Sequence, residues 1–290
     1  MEKRIANPST TREILEENGI QLKKSLGQNF LVDRNIIDKI IVSADLTSYD
    51  HVIEIGPGIG SLTQRLAEGA KAVWAIELDE RFIKILEENL SNYNNVNFIQ
   101  ADALEYDFEQ LLTKLSGESI KVVANLPYYI TTPIIMRLLE EKLPFERVVV
   151  MVQKEVAERI VATPEDGKKY GSLSLAVRYY SQPEITGTVP RTVFMPQPKV
   201  DSAIVKMEIR DKPPVEVKDE ELLFKVIQAA FQQRRKTIRN SLSKAANLDL
   251  KRDLVDQALD KVDIESRRRG EKLDLERFTA LSNSIFDLLS

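Results

Sequence analysis

The sequence predicts a doubly wound, Rossmann-like α/β domain followed by a small all-helical domain. Three observations predict it. Between residues 51 and 153, short apolar runs alternate with segments of helical periodicity. The runs are continuously apolar, which marks strands buried on both faces, as in a mainly parallel sheet with helical crossovers. Beyond the polar, proline-bearing stretch RDKPPVEV at 210–217, the remaining periodic segments are helical.

Taken in order, HVIEI, AVWAIE, VNFIQ, VVAN and RVVVMVQ read as strands, and LTQRLAE, DERFIKILEENL, FEQLLTKL and TPIIMRLLEEK as the helices between them. YGSLSLAVRYYS is helix-like, and PEITGTV and SAIVKMEIR are two further strands separated by VFMPQPKVDS. Two prolines in the polar stretch that follows make a natural linker, so the expected domains are 1–211 and 212–290. The second runs from DEELLFKVIQAAFQ to DLERFTALSNSIFDLL, with no repeat or low-complexity tract.

Composition narrows the chemistry. A chain of 290 residues with 43% hydrophobic content buries a proper core. It contains no cysteine, which excludes disulfides, thiolate zinc sites, cysteine nucleophiles and iron–sulfur clusters, and no metal site is expected. No apolar run reaches membrane-spanning length, and the N-terminal MEKRIANPSTTREILEENG is too polar for a secretory signal, so a cytoplasmic protein without a membrane partner is expected. The single histidine, His51, opens a predicted strand and reads as structural. The net charge of −4 argues against a nucleic-acid partner, but its distribution argues for one. No acid lies between Leu222 and Leu248, where Lys225, Arg234, Arg235, Lys236, Arg239 and Lys244 fall, and Arg267, Arg268 and Arg269 follow. Such clusters suit a directed phosphate-binding patch; the competing reading is a solvated helix face.

The first strand runs into EIGPGIGSLT, where Gly56, Gly58 and Gly60 turn the chain into a helix. In doubly wound sheets the ligand lies beyond the carboxyl ends of the strands, and glycines there admit close backbone approach. The dinucleotide fingerprint requires a third glycine where Ser61 stands, and Pro57 removes a backbone donor, so a pyrophosphate ligand is disfavoured. Glu77 ends the second strand, where an acid accepts from both ribose hydroxyls. Asp102, after the third, is placed to accept from an adenine amine. An adenosyl group without phosphate fits best, which is S-adenosylmethionine. The structural alternatives are a solvated strand end for Glu77 and a helix N-cap for Asp102.

After the fourth strand come Asn125, Leu126, Pro127 and Tyr128, on the same edge as the glycine loop. An adenine amine is a poor nucleophile because its lone pair is delocalised into the ring. The Asn125 carbonyl and a main-chain carbonyl near Leu126 and Pro127 can each accept one N–H and so favour a tetrahedral attacking nitrogen, with Pro127 fixing the turn. Tyr128 can stack on the extruded base. No strong general base is required, since the attacked carbon carries a cationic leaving group. The bland alternative is a proline turn with a packing tyrosine.

NLPY after a strand, with EIGPGIGSLT, AIELD, QADAL, the N-terminal KKSLGQNFL, VFMPQPKVDSAIV and FQQRRKTIRNSL, resembles the ribosomal RNA adenine dimethyltransferase family over nearly the whole chain. The resemblance implies that Gln28, Asn29 and Leu31 close over the cofactor, Gly56 and Gly58 pass its methionine part, Glu77 holds the ribose, and Asp102 and Ala103 flank the adenine. It further implies that Asn125 touches cofactor and target, and that Phe194 takes the face of the target adenine opposite Tyr128. Arg234, Arg235 and Lys236, on a predicted helix, and Lys23 and Lys24 would grip rRNA backbone, contacts that fix register without reading sequence. The implied reaction is dimethylation of two adjacent adenosines in a hairpin loop near the 3′ end of 16S rRNA, within an immature small ribosomal subunit; nothing calls for more than a monomer. The rivals are the sister group acting on large-subunit rRNA, a non-catalytic RNA binder and, remotely, a nicotinamide-dependent oxidoreductase.

Overall fold

The structure, a computed structural model, describes residues 4–20, 29–115 and 117–290. In chain order the elements are α1 (Pro8–Glu17), β1 (Phe30–Leu31), α2 (Arg34–Ala44), β2 (His51–Ile55), α3 (Ser61–Gly69), β3 (Ala72–Glu77), α4 (Glu80–Asn89), β4 (Val96–Gln100), α5 (Phe108–Lys114), β5 (Ile120–Asn125), α6 (Thr131–Glu140) and β6 (Arg147–Gln153). Then follow α7 (Lys154–Val161), α8 (Ser172–Tyr180), β7 (Ser181–Val189), β8 (Phe194–Met195), β9 (Ser202–Ile209), α9 (Glu220–Gln232), α10 (Ile238–Leu242), α11 (Arg252–Lys261) and α12 (Leu275–Leu289).

Seven strands form one sheet in the order β4-β3-β2-β5-β6-β9-β7. The β4-β3-β2-β5-β6 section is parallel, as the apolar runs predict, and β9 pairs antiparallel with β6. Every residue of β2 is buried, the mark of a strand covered on both faces. Aspartates start the helices behind the strands: Asp79 accepts from the Arg81 amide and Asp107 from the Gln110 amide, satisfying orphan N–H groups of the first turn. At the opening end of β2 and β5, buried Lys121 donates to Asp50 at 2.9 Å and to the Asp45 carbonyl at 2.7 Å. His51 lies there too, 8% exposed. Burial holds its imidazole below the usual range.

The chain forms two compact units, one of Met1–Ala157 and Gln182–Ile209, the other of Glu158–Ser181 and Arg210–Ser290. The return to the helical unit at Arg210 falls close to the expected cut at 211/212, but Glu158–Ser181, expected in the first domain, clusters with the helices. The reason is aromatic packing. In the helical unit α8 packs on α9, the Tyr180 ring stacks on Phe224 with centroids 5.7 Å apart, and the Tyr170 hydroxyl donates to the Leu273 carbonyl at 2.9 Å. The sequence reading also names no helix before residue 51, where α1 and α2 stand; α2 is capped by Asp33, which accepts from the Asn35 and Ile36 amides.

Candidate active site

The sheet register sets the site. Ile55, the last residue of β2, lies opposite Ile76 of β3 and Ala124 of β5. One residue further along each strand, Gly56 is therefore flanked by Glu77 on one side and Asn125 on the other. Beyond β3, Glu77 pairs with Gln100 of β4, which leads into Asp102. The acids and the amide expected from sequence thus converge on one sheet edge, and all of them line a single cavity of about 1130 Å³ measured out to its open mouth.

Gly56 and Gly58 take φ of +70° and +59°, left-handed values that side chains resist. A Cβ on Gly58 would stand 3.0 Å from the Phe30 ring. Glu77 is not a solvated strand end: it is 8% exposed. Its carboxylate accepts from the Gly58 amide at 3.2 Å and the Asp79 amide at 2.9 Å, so it braces the glycine loop. Burial pushes its proton affinity up, against the backbone donors of Asp79, Gly58 and Leu78. Each oxygen keeps a second lone pair for a ligand hydroxyl.

Asp102 serves partly as the structural alternative proposes, accepting from the Leu104 amide at 2.8 Å and holding the turn after β4. Ala103 lines the cavity beside it. This turn is tied down from α6, whose Arg137 donates to the Ala103 carbonyl at 2.7 Å and the Tyr106 carbonyl at 2.6 Å.

On the other flank, the Asn125 amide nitrogen donates to the Asn29 carbonyl at 3.2 Å. That bond uses the donor end and leaves the Asn125 carbonyl oxygen as the acceptor end. The Pro127 carbonyl is committed to the Ile130 amide and the Thr131 hydroxyl, whereas that of Leu126 takes no donor among the described residues. The main-chain acceptor left in this turn is therefore Leu126. Tyr128 lines the cavity, and its hydroxyl shares a 3.0 Å hydrogen bond with Ser202; burial raises the phenol's proton affinity.

Asn29 and Leu31 line the cavity; Gln28, Lys23 and Lys24 lie outside the described residues. Phe194 does not line it. Its backbone pairs with Leu31 in the small β1–β8 sheet, and its ring, 5% exposed, packs in the hydrophobic core. In this arrangement Phe194 supports β1 through the β1–β8 pairing, and its ring belongs to the core and not to the cavity wall.

The basic residues also depart from expectation in one respect. Arg234, Arg235 and Lys236 are not helical but form the turn between α9 and α10. The helix restarts because Thr237 caps α10, accepting from the Asn240 amide. Arg234 is engaged inside its own unit, donating to the Gly167 and Tyr170 carbonyls at 3.1 and 2.8 Å. Arg235 and Lys236 are exposed. The Ile238 amide donates to the Arg268 carbonyl at 2.7 Å, which draws the exposed Arg267–269 run beside that turn and merges two clusters separate in sequence.

Among the cavity residues that escape the sequence reading are Phe30, Glu54, Leu78 and Tyr129. Glu54 had a signal, being the one acid inside an otherwise apolar buried strand. It is 1% exposed, and its Oε2 has no hydrogen-bond partner. Burial, with the charge of Glu77 nearby, raises its pKa to about 8.

Comparison with known proteins agrees with this geometry. The family described as "Ribosomal RNA adenine dimethylase" matches residues 19–281. "Ribosomal RNA small subunit methyltransferase A" of Geobacillus sp. (strain WCH70) is 51% identical over 292 residues, covering 100% of both chains. The protein of the same name from Bacillus mycoides (strain KBAB4) is 50% identical over 286 residues, 98% of each. Among solved structures, a dimethyladenosine transferase from Plasmodium falciparum superposes with a TM-score of 0.74 at 28% identity, over 86% of this chain and 94% of the other. The 23S rRNA methyltransferase ErmE gives 0.68 at 29%, over 89% and 100%. With a family match across nearly its full length and relatives at half identity from end to end, the chain belongs to the ribosomal RNA adenine dimethylase family.

Proposed function

We propose that the chain transfers methyl groups from S-adenosylmethionine to the exocyclic amines of two adjacent adenosines in a hairpin loop near the 3′ end of 16S rRNA, dimethylating both within an immature small subunit. The observation that carries the chemistry is the Asn125 amide, whose donor end is occupied by the Asn29 carbonyl and whose acceptor end is left for an N–H. The small-subunit substrate is supported by the two full-length relatives, both named as small-subunit enzymes.

The residues fit the cofactor. Gly58 stands where a Cβ would press on the Phe30 ring, buried Glu77 has lone-pair capacity left for ribose hydroxyls, and Asp102 and Ala103 stand at the end of the next strand for the adenine. When bound, the cofactor supplies an electrophilic methyl on a positively charged sulfur. The chain's part is to prepare the amine. Asn125 and the Leu126 carbonyl each accept one N–H, which draws the nitrogen lone pair out of conjugation and towards the methyl. The amine's proton is lost after the C–N bond forms, when the nitrogen is strongly acidic, so a dedicated base is unnecessary. Tyr128, fixed through Ser202, holds the base against the cavity mouth.

The helical unit supplies the grip on RNA, through Arg235, Lys236 and the Arg267–269 run, with Arg234 anchoring their turn. No described helix is long and apolar enough to cross a membrane. The test is incubation with tritiated S-adenosylmethionine and unmodified small or large subunits, followed by nucleoside analysis. Labelled dimethyladenosine from small subunits alone is expected. Label in large subunits would favour the ErmE-like activity, and no label the non-catalytic binder.

A further inference from the structure

Tyr129 has no part in the transfer described above, yet it lines the same cavity and is 52% exposed. A tyrosine half in water is ordinary on an open surface. This one stands at the rim of a cavity, on a turn that is held from two directions. The Pro127 carbonyl accepts from the Ile130 amide at 3.3 Å and from the Thr131 hydroxyl at 3.0 Å. The helix that starts at Thr131, α6, is clasped through Arg137 to the Ala103 and Tyr106 carbonyls. Tyr129 is thereby mounted on a frame shared with the loop that carries Asp102.

The two consecutive tyrosines diverge. Tyr128 leans towards β9, where its hydroxyl meets Ser202 at 3.0 Å. Tyr129 leans the other way, over the ends of β3 and β4: burial and then the charges of Asp102 and Glu77 raise its phenol's proton affinity. In the sheet, β9 lies on one side of β5, and β3 and β4 lie on the other. The tyrosine tied to Ser202 thus sits on the side given to the target base, and Tyr129 sits on the side given to the adenosyl group. A flat aromatic face at a cavity rim matches the flat face of a purine nucleoside.

We infer that Tyr129 is a binding residue for the adenosyl half of the cofactor, its ring lying against the nucleoside from the open side of the cavity while Glu77 and Asp102 hold it from within. This rests on the proposed use of S-adenosylmethionine. Its consequence is a grip on the nucleoside alone, shared by the methyl donor, the demethylated product and any adenosyl compound without the amino-acid tail, and not felt by the RNA.

The test is isothermal titration of the full chain, as wild type, Tyr129→Ala and Tyr129→Phe, with S-adenosylmethionine, S-adenosylhomocysteine and 5′-methylthioadenosine. Tyr129→Ala is expected to weaken all three by a common factor of about ten, the loss typical of removing a ring stacked on a base, and Tyr129→Phe to bind them within about twofold of wild type. In methyl-transfer assays the KM for S-adenosylmethionine is expected to rise in Tyr129→Ala, and the KM for small subunits to stay as in wild type. Unchanged affinity in Tyr129→Ala, a loss confined to the two ligands with amino-acid tails, a loss in Tyr129→Phe as large as in Tyr129→Ala, or a rise only in the KM for small subunits would each overturn the assignment, the last by making Tyr129 a platform for RNA. If Tyr129→Ala fails to fold, Tyr129→Trp decides: 5′-methylthioadenosine is expected to quench the added indole fluorescence and methionine to leave it unchanged, and no quenching by the nucleoside would overturn the assignment. Binding that ignores Tyr129 sinks this inference and spares the proposed function; absence of binding by any adenosyl ligand to the wild type sinks both.

Discussion

Replacing Glu54 with Gln tests the energetics of the site without any ligand. The Glu54 carboxyl has its pKa raised from 4.5 to about 8 by burial in β2, with the negative charge of Glu77 adding to it. In the unfolded chain it titrates near its ordinary value. A group whose folded pKa lies above its unfolded one favours the folded state fully below the unfolded pKa, and loses that contribution as pH rises through the folded pKa. The wild type therefore loses stability from about pH 4.5 up to about pH 8, at close to 1.4 kcal/mol per pH unit, amounting to about 3 kcal/mol by pH 7. Glutamine cannot ionise and feels none of this. The stability of Glu54→Gln relative to wild type is expected to climb by about 3 kcal/mol between pH 5 and pH 8, on top of a constant offset from the amide's own hydrogen bonding. Trp74 is the only tryptophan and lies in β3, so its fluorescence during urea unfolding reports the sheet-bearing unit selectively. Parallel pH profiles for the two proteins would show that the buried carboxyl is not held neutral.

Asn125→Ala is expected to lower methyl transfer at saturating cofactor by about 10² to 10³, while cofactor affinity changes less, since the lost acceptor acts on the target amine; unaltered turnover would remove Asn125 from the chemistry. Gly58→Ala places a Cβ 3.0 Å from the Phe30 ring at a φ of +59°. It is expected to cost about 1–2 kcal/mol of stability and to weaken cofactor binding, read by titration; an unchanged affinity would show that the loop tolerates the methyl. Reversing Arg235, Lys236, Arg267 and Arg268 to glutamate is expected to weaken small-subunit binding most at low salt and to flatten its salt dependence by about three in log–log slope, with cofactor affinity intact. An unchanged slope would reduce that cluster to a solvated face.

Much of this architecture is legible in the sequence, because burial on both faces leaves little choice of residue. HVIEI and RVVVMVQ have no polar side to hide, and the strands they form carry the glycine loop and the NLPY turn to one edge. The acids at the strand ends were legible for the same reason: Glu77 and Asp102 interrupt apolar periodicity at the point where the chain leaves the sheet. What escaped depends on partners distant in sequence. Glu158–Ser181 looks like a further layer of the first domain until its tyrosines find Phe224 and Leu273. Phe194 looks available for stacking until β8 pairs with β1 and turns the ring into the core. The turn at Arg234–Lys236 has no glycine or proline to announce it, and only the cap at Thr237 hints that the helix is interrupted. Glu54 is visible in the sequence as an oddity, but the burial that raises its pKa is a property of the folded neighbourhood.

Arg137 has a mechanical consequence. It sits on the helix that follows the NLPY turn, and its guanidinium clasps the Ala103 and Tyr106 carbonyls of the loop beside Asp102. Under the proposed function, the loop that meets the methyl donor and the turn that meets the target amine are thus tied to a common strut, and a rocking of α6 would carry both together. Alignment in this enzyme is then a property inherited from one rod, and severing that clasp should let the two halves drift apart while each still holds its own ligand.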